Sequence, residues 1–99
     1  MSTPTEDFYN DICAQIELVR KEAKKQDKKL SLYCAAPDAS PFKVYQMALK
    51  ESGALICYGI DAKKKEACLC MNVFSISYLI RIEPKAANEL ELEIKGFGE

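Results

Sequence analysis

The sequence predicts a single α+β domain of order αβαββββ, one mixed and largely antiparallel sheet with its helices packed mainly on one face. Three observations carry this. A capped stretch with apolar residues every three or four positions opens the chain, segments alternating apolar with polar residues close it, and a strand-helix-strand pattern lies between. At 99 residues the chain has the length for one hydrophobic core.

Thr3-Pro4-Thr5-Glu6 is a capping-box sequence with proline at the first helical position. A helix over about 4–26 follows, its apolar stripe made by Phe8, Ile12, Ile16, Val19 and Ala23, with Tyr9 and Cys13 alongside. Acidic residues come early and lysines late, as the helix dipole favours. Leu30 to Ala35 reads as a short strand ended by Pro37-Asp38. Ser40-Pro41 repeats the cap-plus-proline signal, and Val44, Tyr45, Ala48 and Leu49 predict a second, shorter helix that stops at Ser52-Gly53. Ala54 to Ile60 is a strand, so a right-handed crossover with parallel strands is expected within about 30–95, the sheet region. Ala67 to Glu83 is too long for one strand and is expected to bend between Asn72 and Ser75. Pro84 to Asn88 then turns the chain into a last strand in which Leu90, Leu92 and Ile94 alternate with glutamates.

Alternation also sorts the sheet faces. A hairpin closed over Asp61 to Glu66 sets Cys57 opposite Cys70, with Ile56, Tyr58, Ile60, Leu69 and Met71 on the core side and Cys57, Cys68 and Cys70 on the open side. A hairpin over Pro84 to Asn88 sets Ile82 against Leu90, Ile80 against Leu92 and Tyr78 against Ile94. Leu30, Leu32 and Cys34 belong to the core, which turns Ser31, Tyr33 and Ala35 outward.

Composition bounds the function. Apolar residues make up 48% and charged residues 29%, with 14 basic against 15 acidic groups and net charge -1. The two lysine runs, 24–29 and 63–65, fall at opposite ends of the expected sheet, so no nucleic-acid footprint is predicted. No run is apolar and long enough to span a membrane, and no secretory signal is recognisable, so a cytoplasmic chain with its five cysteines as thiols is expected. Cys57, Cys68 and Cys70 read as small hydrophobes, as redox-sensitive thiols or as partial metal ligands. The chain lacks histidine and a CxxC knuckle, so no metal or other cofactor is expected. With no glycine-rich phosphate loop and no nucleophile beside an activating partner, no enzyme is expected.

Ser77-Tyr78-Leu79-Ile80-Arg81-Ile82-Glu83-Pro84, followed by a turn and an alternating strand, resembles the platform subdomain of clathrin-adaptor appendage (ear) domains. The order of elements is similar from Leu30 to about Lys95. The resemblance implies a shallow peptide-binding site centred on an aromatic in the first strand, matched by Tyr33, and an arginine, matched by Arg81, with polar last-strand positions at Glu89 and Glu93. Tyrosine stands where that family usually has tryptophan, and the last-strand positions are acidic, so other ligand motifs are implied. Face sorting independently puts Tyr33, Arg81, Glu89 and Glu93 outward. The expected role is an adaptor-like protein-interaction module that binds a peptide or partner surface on its open sheet face. The alternatives are a homodimeric structural or chaperone-like protein and a thiol-based redox or metal sensor.

Overall fold

Thr3 caps the first helix as its sequence requires: its Oγ1 accepts the Glu6 N–H at 3.1 Å, with Pro4 in the first turn. In the computed structural model, which describes residues 3–85 and 92–94, α1 runs Pro4–Lys25. Glu6 and Asp7 occupy its first turn and Lys24 and Lys25 its last, so both ends complement the dipole. It stops in a Schellman arrangement, with Lys28 N–H on the Ala23 carbonyl and Asp27 N–H on the Lys24 carbonyl. Asp27 takes the left-handed conformation, φ 54, and meets Lys85 at 2.9 Å.

Among the described residues six strands follow: β1 Lys29–Ala35, β2 Pro41–Leu49, β3 Ala54–Ile60, β4 Glu66–Asn72, β5 Tyr78–Glu83 and the two-residue β6 Glu93–Ile94. The fold is thus a helix followed by a mixed, mainly antiparallel sheet of order β4-β3-β2-β1-β5, with β6 paired to β2. The second helix predicted over 40–52 is absent. That segment is β2, and it joins β1 and β3 by antiparallel pairing on both sides instead of a parallel crossover. The cause is a bulge. Phe42 and Val44 alternate inward, the register shifts between Val44 and Gln46, and Met47 and Leu49 resume the inward phase. One extra residue stretches a period of two into a spacing that mimics a helix.

The three hairpins share one loop. Ala39 N–H bonds the Ala36 carbonyl, Gly53 N–H the Lys50 carbonyl, and Lys64 N–H the Asp61 carbonyl; each loop is then closed by an outer pair, Ala36 to Ser40, Lys50 to Ala54 and Asp61 to Lys65. This is a three-residue connection ending in a left-handed residue, at φ 65 in Ala39, 90 in Gly53 and 66 in Lys64. The third loop is one residue tighter than expected, pairing Ile60 with Glu66 and Cys57 with Leu69. Asp61 holds it by accepting the Lys63 and Lys65 N–H groups at 2.9 and 3.0 Å.

That single-residue difference turns β3 over relative to the sequence reading. Leu55 and Cys57 enter the core, while Ile56, Tyr58 and Ile60 share the outer face with Cys68 and Cys70. Gly59 is required here, because a Cβ would collide with the Lys43 carbonyl oxygen where β2 bulges.

The last strand also departs from expectation. β5 pairs with β1, Leu30 beside Ile82 and Tyr33 beside Leu79. Where β2 leaves β1 beyond Val44, β6 lies parallel to it, with Glu93 beside Gln46 and Ile94 beside Met47. The expected pairs of Ile80 with Leu92 and Tyr78 with Ile94 are therefore not formed; the Leu90 pairing lies outside the described residues. Arg20 of α1 clips this segment by donating to the Leu92 carbonyl at 3.1 Å.

A turn of 3-10 helix at Val73–Ser75 links β4 to β5, where the sequence predicts the bend. The two strands run in the same direction on opposite edges. A flat sheet would separate them by about 19 Å sideways as well as along the strands, whereas six Cα steps reach only about 21 Å. The sheet must coil, and Val73 of the link is fully buried in the core. Helix residues Tyr9, Ile12 and Ile16 pack there with Leu32, Met47, Leu49 and Leu55. Each large aliphatic chain so buried contributes about 1.5–3 kcal/mol. The Tyr9 hydroxyl is satisfied by the Met47 carbonyl at 3.3 Å, which fixes the helix against the bulged strand. Among the described residues no helix is long and apolar enough to cross a membrane.

Candidate functional site

Because α1, the 3-10 turn and Leu92 all pack on one side of the sheet, no described element covers the other. Tyr33 sits near the middle of that outer face, opposite Lys43 on β2 and Leu79 on β5. The Lys43 ammonium stands 5.8 Å from the ring centres of both Tyr33 and Tyr45, and the Arg81 guanidinium 5.9 Å from that of Tyr33. These are cation–π distances. The structure brings Tyr33 and Arg81 together on the outer face and adds Lys43 and Tyr45, which the sequence reading assigns to a helix.

Glu83 anchors the other end of this group. Its Oε1 accepts the Tyr33 hydroxyl at 3.0 Å. The nearby Ser31 hydroxyl, which makes no hydrogen bond of good geometry, then Tyr33 and the Lys43 and Lys29 ammonium groups hold the Glu83 carboxyl below the usual glutamate range. Tyr33 is pushed above the ordinary tyrosine value by burial first and by Glu83 second. Burial, then neighbouring Lys29, lowers Lys43 below the usual lysine range. The phenol–carboxylate bond and the flanking cations give the tyrosine ring a fixed pose.

A second zone lies along β2 and β3, where a shallow cleft of ≈ 540 Å³ is lined by Tyr45, Gln46, Tyr58, Ile60, Glu66 and Glu93. Tyr58 and Leu79 are each 49% exposed. Glu93 thus belongs to this cleft and not beside Arg81, because β6 pairs with β2. Glu89 lies outside the described residues. The face is graded in charge: Arg81 and Glu83 flank Tyr33, Lys43 lies between Tyr33 and Tyr45, and Glu66 and Glu93 border Tyr45 and Tyr58.

The three hairpin thiols do not form one site. Cys57 is 0% exposed on the core side, where its hydrogen bond with Cys34 and its burial push the thiol far up. Cys68 and Cys70 are exposed on the outer face with their sulfurs 3.7 Å apart. The Cys68 thiol is raised by desolvation and by Cys70. The separation of Cys57 from the other two follows directly from the tighter turn. Among the described residues, no group of three or more His, Cys, Asp or Glu side chains is placed to hold a metal ion.

Fold and surface together define a helix-backed, coiled, mainly antiparallel sheet with one aromatic and charged face bare of described structure. Comparison with protein-family models, curated proteins and solved structures finds no match to this chain.

Proposed function

We propose that the chain is a non-catalytic protein-interaction module that holds a peptide or partner segment across the outer face of its sheet. The observation that carries this reading is the grouping of Tyr33, Tyr45, Tyr58 and Leu79 with Arg81 and Lys43 on the side opposite α1. Tyrosine and arginine are the residues in which binding energy concentrates at protein interfaces. The charge gradient favours an extended segment with an acidic group toward Arg81 and Lys43 and a basic group toward Glu66 and Glu93.

The test is affinity capture with quantitative mass spectrometry, comparing the wild type with a Tyr33→Ala, Arg81→Glu double variant of unchanged circular dichroism. Partners of this face are expected to weaken by about 30-fold or more, since one hot-spot truncation costs about 2 kcal/mol or more. Retention of every partner by the double variant would show the surface to be misassigned.

A further inference from the structure

We infer that Cys68 and Cys70 form half of a tetrathiolate site for a zinc-class d10 metal ion, completed by the same two residues of a second copy paired edge to edge through β4. This rests on different residues from the proposed peptide surface. Two sulfurs bound to one tetrahedral zinc ion at about 2.3 Å each stand about 3.8 Å apart. The Cys68 and Cys70 sulfurs stand 3.7 Å apart.

Closing the two into a disulfide is a poorer fit. Residues i and i+2 of a strand are about 6.6 Å apart along the chain, at the upper limit for the Cα spacing of a disulfide, whose sulfurs must approach to about 2.05 Å. A metal ion asks for no such collapse of the strand. Soft thiolates also select this class of cation.

A single chain supplies two of the four ligands, and the edge shows where the others come from. Among the described residues β4 pairs only with β3. The closing bond from Asp61 N–H to the Lys65 carbonyl fixes the phase of the ladder: odd-numbered residues of β4 bond inward to β3, and even-numbered ones present N–H and carbonyl to the free edge. Cys68 and Cys70, with Glu66 and Asn72, therefore turn backbone groups to an edge that no strand among the described residues pairs. Antiparallel pairing centred on Leu69 sets Cys68 opposite Cys70 of the second copy, and Cys70 opposite its Cys68, as hydrogen-bonded pairs with all four thiols on one face.

Beyond Glu66 nothing in the strand guards against this pairing. Ala67 to Asn72 carries no charge and no proline, the devices that ordinarily blunt an edge. By contrast the other edge, β5, bears Arg81 and Glu83 and is followed by Pro84. Glu66 would face Asn72 of the second copy, so no like charges meet.

The experiment titrates the reduced chain with Cd2+ or Zn2+, using a phosphine reductant. It follows the ultraviolet thiolate-to-cadmium band and metal stoichiometry, with mass by light scattering. Expected are one ion per two chains and a metal-dependent doubling of mass. Both should be lost in Cys68→Ser, Cys70→Ser, whose altered positions are exposed and whose fold is checked by circular dichroism. Absence of the band overturns the inference, as does one ion per chain without a change in mass. A band that persists in the double variant, or doubling that needs no metal, overturns it equally.

Discussion

Replacing Ala39 or Lys64 by glycine is expected to stabilise the protein, and replacing Gly53 by alanine to destabilise it. The three residues hold the same place in three like loops, all at positive φ, so they form an internally controlled set. A non-glycine residue in the left-handed region costs about 1–2 kcal/mol. Introducing glycine returns part of that gain through the freer unfolded chain, about 0.4–1 kcal/mol. The net gain is about 0.5–1 kcal/mol for Ala39→Gly or Lys64→Gly, which raises the midpoint of thermal unfolding by roughly 2–8 °C in a domain of this size. Gly53→Ala should lose the same amount. Its Cβ would meet Thr5 Cγ2 at 3.7 Å, an ordinary contact, so conformation alone sets the cost. Each variant is measured singly by urea and thermal melts, because the Ala39 and Lys64 loops share a cleft in which Asp38 and Lys63 interact. If glycine lowers stability at 39 and 64, or alanine is harmless at 53, the shared-loop account fails.

The remaining predictions concern the sheet and its outer face. Gly59→Ala drives a methyl into the Lys43 carbonyl and is expected to cost about 3 kcal/mol in urea denaturation; a loss under about 0.5 kcal/mol would deny the close approach. The Tyr33–Glu83 bond contributes stability on a plateau with two ends. Glu83 titrates low when folded, so its contribution is present above the unfolded glutamate value and is lost as pH falls through the folded one. Tyr33 titrates high, so its contribution is present below the ordinary tyrosine value and is lost as pH rises through the folded one. Glu83→Gln should bring Tyr33 ionisation down toward, yet not to, the ordinary value, because burial remains. A phenolate absorbance titration referenced to Tyr33→Phe checks this, and an unmoved or raised transition contradicts it.

What the sequence displays and what it conceals follow from where the cues are local. The Thr3 cap and the Ile12 and Ile16 stripe act within α1, so its extent is legible. Leu30, Leu32 and Cys34 on β1, with Ile80 and Ile82 on β5, alternate without interruption, which puts Tyr33 and Arg81 on the outer face. β2 is concealed by its bulge: the cue lies in two short alternations, Phe42 with Val44 and Met47 with Leu49, separated by one extra residue. Lys64, a non-glycine residue in the left-handed conformation, hides the tight turn. A turn one residue longer sends Tyr58 to the core and Cys57 to the surface, the reverse of what the structure shows. The partner of β6 is encoded in no local pattern, since alternation says which side of a strand is wet and not which strand lies next to it.

The sheet order also sets a sequence of events during synthesis. β1 to β4 form a meander of neighbours joined by three-residue loops, whereas β5 must return to β1, bringing together Tyr33 and Glu83 from 50 positions apart. Closing that long loop carries the larger entropy cost, so β5 is expected to dock late. Until it does, β1 keeps a bare hydrogen-bonding edge beside Leu30, Leu32 and Cys34, a contact point for other nascent chains. Tyr33 meanwhile lacks Arg81, Leu79 and Glu83 as neighbours. A half-made chain therefore owns the ring but not its setting, and the outer face is complete only with the strand that also seals the edge.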